Sequence, residues 1–193
     1  MRIKMKDFVL LALLSALYII VYFVAMMLIS LMGPFGHAIS PGVCGLLSGA
    51  ILIFISRKIG KMWQFTLMEL IIMGVFALVG AGYLPWFITS MIGAVLADVI
   101  ASTSNKPSVL KVAIASGLIH VGNALGGIIP ACFFAEQYMN EWIARGQKPD
   151  QMLEMVKATQ GLMGILGTVI TFILSVIGVY IGYSILKGHL KEN

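Results

Sequence analysis

Residues 8–32 read FVLLALLSALYIIVYFVAMMLISLM, an apolar run that contains no charged side chain. A helix that crosses roughly 30 Å of hydrocarbon needs about 20 such residues. The run is longer than the apolar core of a signal peptide, and no small-residue cleavage site follows it. We therefore expect it to remain in the protein as the first transmembrane helix.

The rest of the chain has a similar composition. Of its 193 residues 60% are hydrophobic and 11% are charged, and the mean hydropathy is +0.99, whereas about a quarter of the residues in soluble domains are charged. A soluble fold has too little interior to bury so much apolar surface. Further apolar segments lie at 37–56, 63–79, 84–101, 109–134 and 161–186. We therefore predict an all-α membrane protein with six spans, forming a single domain over residues 1–193.

The only long polar stretch, residues 135–160, lies between the last two predicted spans. Its charged residues alternate with apolar ones at helical spacing, and residues 146–149 read GQKP, a sequence that breaks helices. We predict two short amphipathic helices on the extracellular side. The Ser40-Pro41 pair is expected to break or delay the second transmembrane helix.

The distribution of basic residues predicts the orientation. Ten of the 13 lysines and arginines fall on one side of the predicted topology: Arg2, Lys4, Lys6, Arg57, Lys58, Lys61, Lys106, Lys111, Lys187 and Lys191. The positive-inside rule makes this side cytoplasmic. Both termini are then cytoplasmic, which requires an even number of spans.

Several functional classes have no support in the sequence. The net charge of +5 is confined to short loops, so nucleic acid is not an expected partner. Cys44 and Cys132 stand alone in apolar stretches and are interpreted as buried packing residues, not as metal or redox sites. No phosphate-binding loop and no His-Glu-x-x-His motif is present. We expect no catalytic activity and no cofactor or metal site, and any ATP-driven role requires another subunit.

Two acidic residues, Glu69 and Asp98, fall inside predicted spans. An ionised carboxylate is costly in hydrocarbon, so each should pair with a cation, face the protein interior or be protonated. An anchoring ion pair with Lys61, Lys106 or Lys111 is the favoured interpretation. The alternative is coupling to a partner or to an ion.

Polar and aromatic residues also mark a candidate pocket. His120 and Asn123 lie one turn apart in the fifth span, next to the small residues Gly126 and Gly127. They either line a pocket or form a hydrogen bond between helices. His37 begins the second segment, and Tyr83 and Trp86 form an aromatic corner of the kind found at headgroup level. We predict that His37, Tyr83, Trp86, His120 and Asn123 contact a substrate.

The first span begins KDFVLLALLSALY at residues 6–18, where Ala12 and Ala16 place two small side chains one turn apart. Together with the chain length, six predicted spans and cytoplasmic termini, this resembles the substrate-binding S components of energy-coupling factor (ECF) transporters, which are ABC importers. Within that family, the GHAISPG stretch at 36–42 and the long loop before the last span look like the group called Trep_Strep. The resemblance covers essentially the whole chain.

The resemblance implies specific partners and a mechanism. In S components, an alanine pair docks on a coupling transmembrane subunit that two ATPases drive, so Ala12 and Ala16 are the expected docking residues. Substrate would enter from outside among residues 33–41, 83–86 and 135–160. The implied substrate is a small cofactor-like molecule, either haem or a vitamin. Free metal is not expected, because the chain begins Met1-Arg2-Ile3 and lacks the N-terminal His of the cobalt and nickel S components.

The sequence is also compatible with two other functions. A standalone secondary carrier or channel would require a coupling-ion site, for which Glu69 and Asp98 are the candidates. A membrane enzyme or assembly factor would show no transport. The predicted location in every reading is the bacterial cell membrane, in several passes.

Overall fold

The computed structural model describes residues 3–102 and 107–188. These residues form eight α-helices and no strand, which confirms the all-α fold class. The helices are α1 (Met5–Ser30), α2 (Pro34–Lys58), α3 (Gln64–Leu78), α4 (Leu84–Ala101), α5 (Val109–Phe133), α6 (Ala135–Ala144), α7 (Pro149–Thr159) and α8 (Gly161–Leu186).

Five of the described helices are long and apolar enough to cross a membrane: α1, α2, α4, α5 and α8. Helix α3 is apolar but has only 15 residues, which rise about 22 Å along its axis. The protein is therefore an integral membrane protein with five candidate spans in its described part. A sixth span through α3 stays a prediction.

Helix α2 runs through Pro41 without a break, so the predicted break or delay is wrong. Pro41 has no N–H to donate to the carbonyl of His37, four residues earlier. The Ser40 hydroxyl donates to that carbonyl instead, at 3.1 Å. The helix begins at Pro34, where a missing N–H costs nothing.

Helices α2 and α5 form the centre of the bundle, and α8 packs mainly against α2. Small residues make this close approach possible. A methyl group added at Gly49 would collide with the backbone of Gly178, and one at Gly42 would collide with Thr171. The α2–α8 contact is therefore largely a contact between backbones.

The outer faces of α1, α4 and α8 are apolar and exposed, with Leu13, Ile92 and Ile165 each more than half exposed. Such a surface would be unfavourable in water but suits lipid. Cys44 is buried as predicted, but Cys132 is exposed, so the prediction of a buried residue is wrong there. Cys132 precedes the exposed Phe133 at the end of α5.

Hydrogen bonds between helices identify one end of the bundle. Lys61, between α2 and α3, forms a 2.5 Å ion pair with Asp7 of α1. Gln64 donates to Ser102 after α4, at 3.2 Å. The start of α1, the α2–α3 turn and the end of α4 therefore lie together, as the distribution of basic residues requires. Of the ten basic residues assigned to this side, Arg2, Lys106 and Lys191 lie outside the described part.

Candidate functional site

A cavity of about 310 Å³ opens near the opposite end of the bundle. Its walls come from α1, α2, α3, α4, α5 and α6 and from the turns beside them. The residues that line it are Tyr22, Met26, His37, Ser40, Pro41, Phe76, Ala81, Tyr83, Trp86, Asn123, Ala124, Gly126, Gly127, Tyr138, Trp142 and Gln147. This size is at the lower end of the range for small-molecule sites.

Two groups of aromatic rings line the cavity. The first group, called the core group, consists of Tyr22, Phe76 and Trp86. Its Phe76 ring lies 5.1 Å from that of Tyr22 and 5.3 Å from that of Trp86, both nearly edge to face. The second group, called the cap group, consists of Tyr83, Tyr138 and Trp142. Its Tyr83 ring lies 5.5 Å from that of Tyr138 and 5.8 Å from that of Trp142.

The Tyr83 and Tyr138 hydroxyls belong to the turn before α4 and to α6. Burial raises the pKa of each to about 12. Both hydroxyls therefore stay protonated near neutral pH and are able to donate a hydrogen bond to a ligand.

Helices α6 and α7 form a cap over this end, and the predicted pair of short amphipathic helices is confirmed. Gly146 allows the turn between them because its φ is +98°, and Pro149 begins α7. On the buried side of α7, Met152 and Val156 pack into a small apolar cluster that includes Tyr138 of α6.

Arg145, at the end of α6, ties the cap to the bundle. Its guanidinium donates to the Gly82 carbonyl at 2.7 Å and to Glu141 at 2.5 Å. The same group lies 5.0 Å from the centre of the Trp142 ring. This fixes α6 against the turn that carries Tyr83.

Asn123 organises the wall of the cavity beside Trp86. Its side-chain oxygen accepts from Trp86 Nε1 at 2.9 Å and from the Ser90 hydroxyl at 3.2 Å. Its amide nitrogen donates to Glu69 Oε1 at 3.2 Å and to the Ile119 carbonyl at 3.0 Å. These four bonds use the full capacity of an amide side chain, so Asn123 orients Trp86 and has no free group for a ligand.

Glu69 lies behind Asn123 and is only 1% exposed. Its second carboxylate oxygen, Oε2, is buried and has no hydrogen-bond partner among the described residues. The predicted ion pair with Lys61 is wrong, because Lys61 pairs with Asp7. Lys111 forms no salt bridge within the described ranges either, and Lys106 lies outside them.

Asp98 forms hydrogen bonds with the first turn of α3. Its carboxylate accepts from the Phe65 amide at 3.1 Å and from the Thr66 amide at 2.8 Å. The Thr66 and Ser102 hydroxyls also donate to it. Asp98 therefore caps α3 from a neighbouring helix, satisfying amides that have no partner within that helix.

His120 does not line the cavity. It is 0% exposed, with Nε2 2.9 Å from the Tyr18 hydroxyl and Nδ1 2.7 Å from the Ser116 carbonyl. The hydrogen bond between helices, which the sequence left open, is therefore the arrangement present. Of the five predicted site residues, the structure brings His37, Tyr83, Trp86 and Asn123 to the cavity.

Sequence reasoning missed four of the six aromatic residues that line the cavity. Tyr138 and Trp142 stand one turn apart on an amphipathic helix, a spacing that marks a shared face. Tyr22 and Phe76 lie inside uniformly apolar runs, where nothing distinguishes them from residues that face lipid. Gln147 lies in the α6–α7 turn and had no distinguishing signal.

A protein-family model matches residues 5–192 of the chain, and its description is hypothetical bacterial integral membrane protein (Trep_Strep). The match extends over all eight helices. No curated protein and no solved structure matches the chain.

Proposed function

Since the chain belongs to the Trep_Strep family of bacterial integral membrane proteins, as its sequence predicted, we propose that it is the substrate-capturing S component of an ECF-type importer. The observation that carries this proposal is the cavity of about 310 Å³ under an amphipathic cap at one end of an apolar bundle. A membrane subunit that captures a small molecule needs such a site at one face.

The proposed orientation places the cap outside the cell and both termini in the cytoplasm. Lys58 and Lys61 lie at the end remote from the cap, and Lys61 pairs there with Asp7 of α1. Positive charge retained at that end favours the cytoplasmic side. Substrate would then reach the cavity directly from outside, as capture requires.

Helix α1 supplies the proposed docking face for the coupling subunit. Ala16 is exposed and Ala12 is half-buried, while the neighbouring Leu13 and Leu17 are exposed. Two small side chains one turn apart leave a shallow groove in an apolar surface, which lets a partner helix approach closely.

A transport cycle follows from these two surfaces. Substrate binds under the cap, and the coupling subunit then engages the face with Ala12 and Ala16. The S component topples in the membrane and releases the substrate into the cytoplasm. Two ATPase subunits supply the energy, since this chain has no phosphate-binding loop.

The lining favours a vitamin-sized compound over haem. Neither Lys nor Arg occurs among the described residues that line the cavity, so the two propionates of haem would have no cationic partner there. His120 is buried away from the cavity with hydrogen bonds at both ring nitrogens. It therefore cannot join His37 as a second axial ligand of one iron.

Docking is tested with the double variant Ala12→Trp, Ala16→Trp. The two indoles would fill the groove, and we expect co-purification with the coupling subunit and the ATPases to fall at least tenfold. The matched control is Val169→Trp, Ile173→Trp, since both positions are exposed and lie one turn apart on α8. Equal co-purification of the docking variant and the wild type would refute the docking face.

The secondary carrier is the second candidate function, because one buried oxygen of Glu69 has no hydrogen-bond partner among the described residues. Its other candidate residue, Asp98, is engaged in capping α3. Inactivating the ATPases in cells separates the two functions. Uptake by an S component stops, whereas uptake by a carrier continues.

A further inference from the structure

Taking the cavity as the capture site proposed above, we propose that its substrate is a planar aromatic compound with a positive charge, recognised by the aromatic lining and by the Glu69 carboxyl group behind Asn123. This inference rests on the proposed function and names the chemical class of its substrate. Three features of the cavity support it.

The first feature is the aromatic content of the walls. Six of the 16 lining residues are aromatic, in the core group and the cap group defined above. Ring faces attract flat ligands by stacking and attract cations through their quadrupole. Tyr83, Tyr138 and Trp142 come from the turn before α4 and from the cap, so closure of the cap would enclose a flat ligand between rings.

The second feature is the absence of lysine and arginine from the described lining. Among the described residues, the cavity is lined by no Lys, Arg, Asp or Glu. Arg145 of the cap, which lies over the lining residue Trp142, is already bonded to Gly82 and Glu141. An anionic substrate would lose its hydration without gaining a compensating charge.

The third feature is Glu69, an acidic group buried directly behind the wall. Its Oε1 holds the Asn123 amide nitrogen at 3.2 Å, and its Oε2 is buried without a partner in the described part of the chain. A carboxylate without a cationic partner favours a positive charge nearby, and this interaction is strong where water is excluded.

The probes are three quinolines of similar size: N-methylquinolinium, quinoline and quinoline-4-carboxylate, which are cationic, neutral and anionic near neutral pH. Binding to the purified full chain is followed by tryptophan fluorescence in a Trp63→Phe background. Trp63 is exposed and lies away from the cavity, whereas the two remaining tryptophans, Trp86 and Trp142, line it. We expect the cation to bind at least tenfold more tightly than the anion, with the neutral probe between them.

Glu69→Gln tests the role of the carboxyl group, since glutamine still offers an oxygen to Asn123. We expect it to weaken binding of N-methylquinolinium about tenfold and to change quinoline binding less than twofold. The control Glu136→Gln removes an exposed acid from α6 and should change neither. If Glu69→Gln does not fold, the charge ranking of the Trp63→Phe protein decides alone.

Three results would overturn the proposal: an anion that binds as tightly as the cation, no saturable binding of any probe, or an unchanged preference for the cation in folded Glu69→Gln. None of them affects the co-purification of Ala12→Trp, Ala16→Trp with the coupling module. A wrong substrate class is therefore distinguishable from a wrong assignment as an S component.

Discussion

The side chain of His120 connects three helices. Its ring, on α5, lies 2.9 Å from the Tyr18 hydroxyl of α1 and 3.5 Å from the Ser48 hydroxyl of α2. Because Nδ1 lies 2.7 Å from the Ser116 carbonyl, that nitrogen carries the proton and Nε2 accepts from Tyr18. A neutral histidine in this position accepts from Tyr18 and donates to the Ser116 carbonyl without placing a charge in the bundle.

We predict that His120→Ala lowers the free energy of unfolding by about 1–3 kcal/mol, since the buried Tyr18 hydroxyl loses its acceptor. SDS titration of the purified protein measures this. Tyr18→Phe removes the same bond without opening a large cavity, and it should cost about 1 kcal/mol. Unchanged stability of His120→Ala together with lost substrate binding would instead place His120 at the site.

Asn123 and Trp86 have different roles in the wall of the cavity. Trp86 exposes its ring to the cavity, while Asn123 uses all four of its hydrogen bonds to hold that ring and to contact Glu69. Asn123 is therefore a positioning residue, and any contact it makes with a substrate is apolar.

At the scale of elements, the α2–α8 contact determines how closely the bundle closes. Gly49 and Gly178 meet backbone to backbone, with Gly45 and Ser175 in contact one turn away. No side chain can be inserted between them without separating the helices, and both helices carry large apolar residues on their other faces.

We predict that Gly49→Ala lowers the free energy of unfolding by about 1–3 kcal/mol, the usual cost of overpacking a tight interior. Gly74→Ala is the matched control, because Gly74 lies within α3 with nothing within 4 Å of an added methyl group. It should be neutral or stabilising by up to about 1 kcal/mol, since alanine is the better helix former. Equal effects of the two variants would contradict the proposed close packing.

The whole molecule has two chemically different ends. One end carries the ion pair of Lys61 with Asp7. The other carries the cap, the cavity and most of the aromatic rings that surround it. This polarity suits a protein that captures a molecule on one side of a membrane and responds to partners within the bilayer and on the other side.

The proposed orientation predicts which positions react with a membrane-impermeant maleimide. In a background of Cys44→Ala and Cys132→Ala, Lys148→Cys in the cap should be labelled in intact cells. Lys58→Cys at the opposite end should be labelled only after permeabilisation. Both lysines are exposed, so access to the reagent depends on the side of the membrane. The reverse pattern would place the cap in the cytoplasm.

The helical class, the approximate bounds of the helices, the two amphipathic helices within 135–160 and the family were predictable from the amino-acid sequence. Hydropathy, helix-breaking residues and the spacing of charges are local properties, so they are readable without knowledge of neighbours in space. The two helices predicted within 135–160 correspond to α6 and α7 for this reason, since one face of each is polar.

Which faces of the apolar helices meet became visible only in the folded bundle. In a membrane, the face toward lipid and the face toward protein are both apolar, so hydrophobic periodicity does not distinguish them. Tyr22 and Phe76 were therefore undetectable as lining residues, and Cys132 was misplaced. The same limit applies to His120 and Asn123, which lie one turn apart on α5. His120 forms hydrogen bonds inside the bundle, whereas Asn123 lines the cavity and orients Trp86.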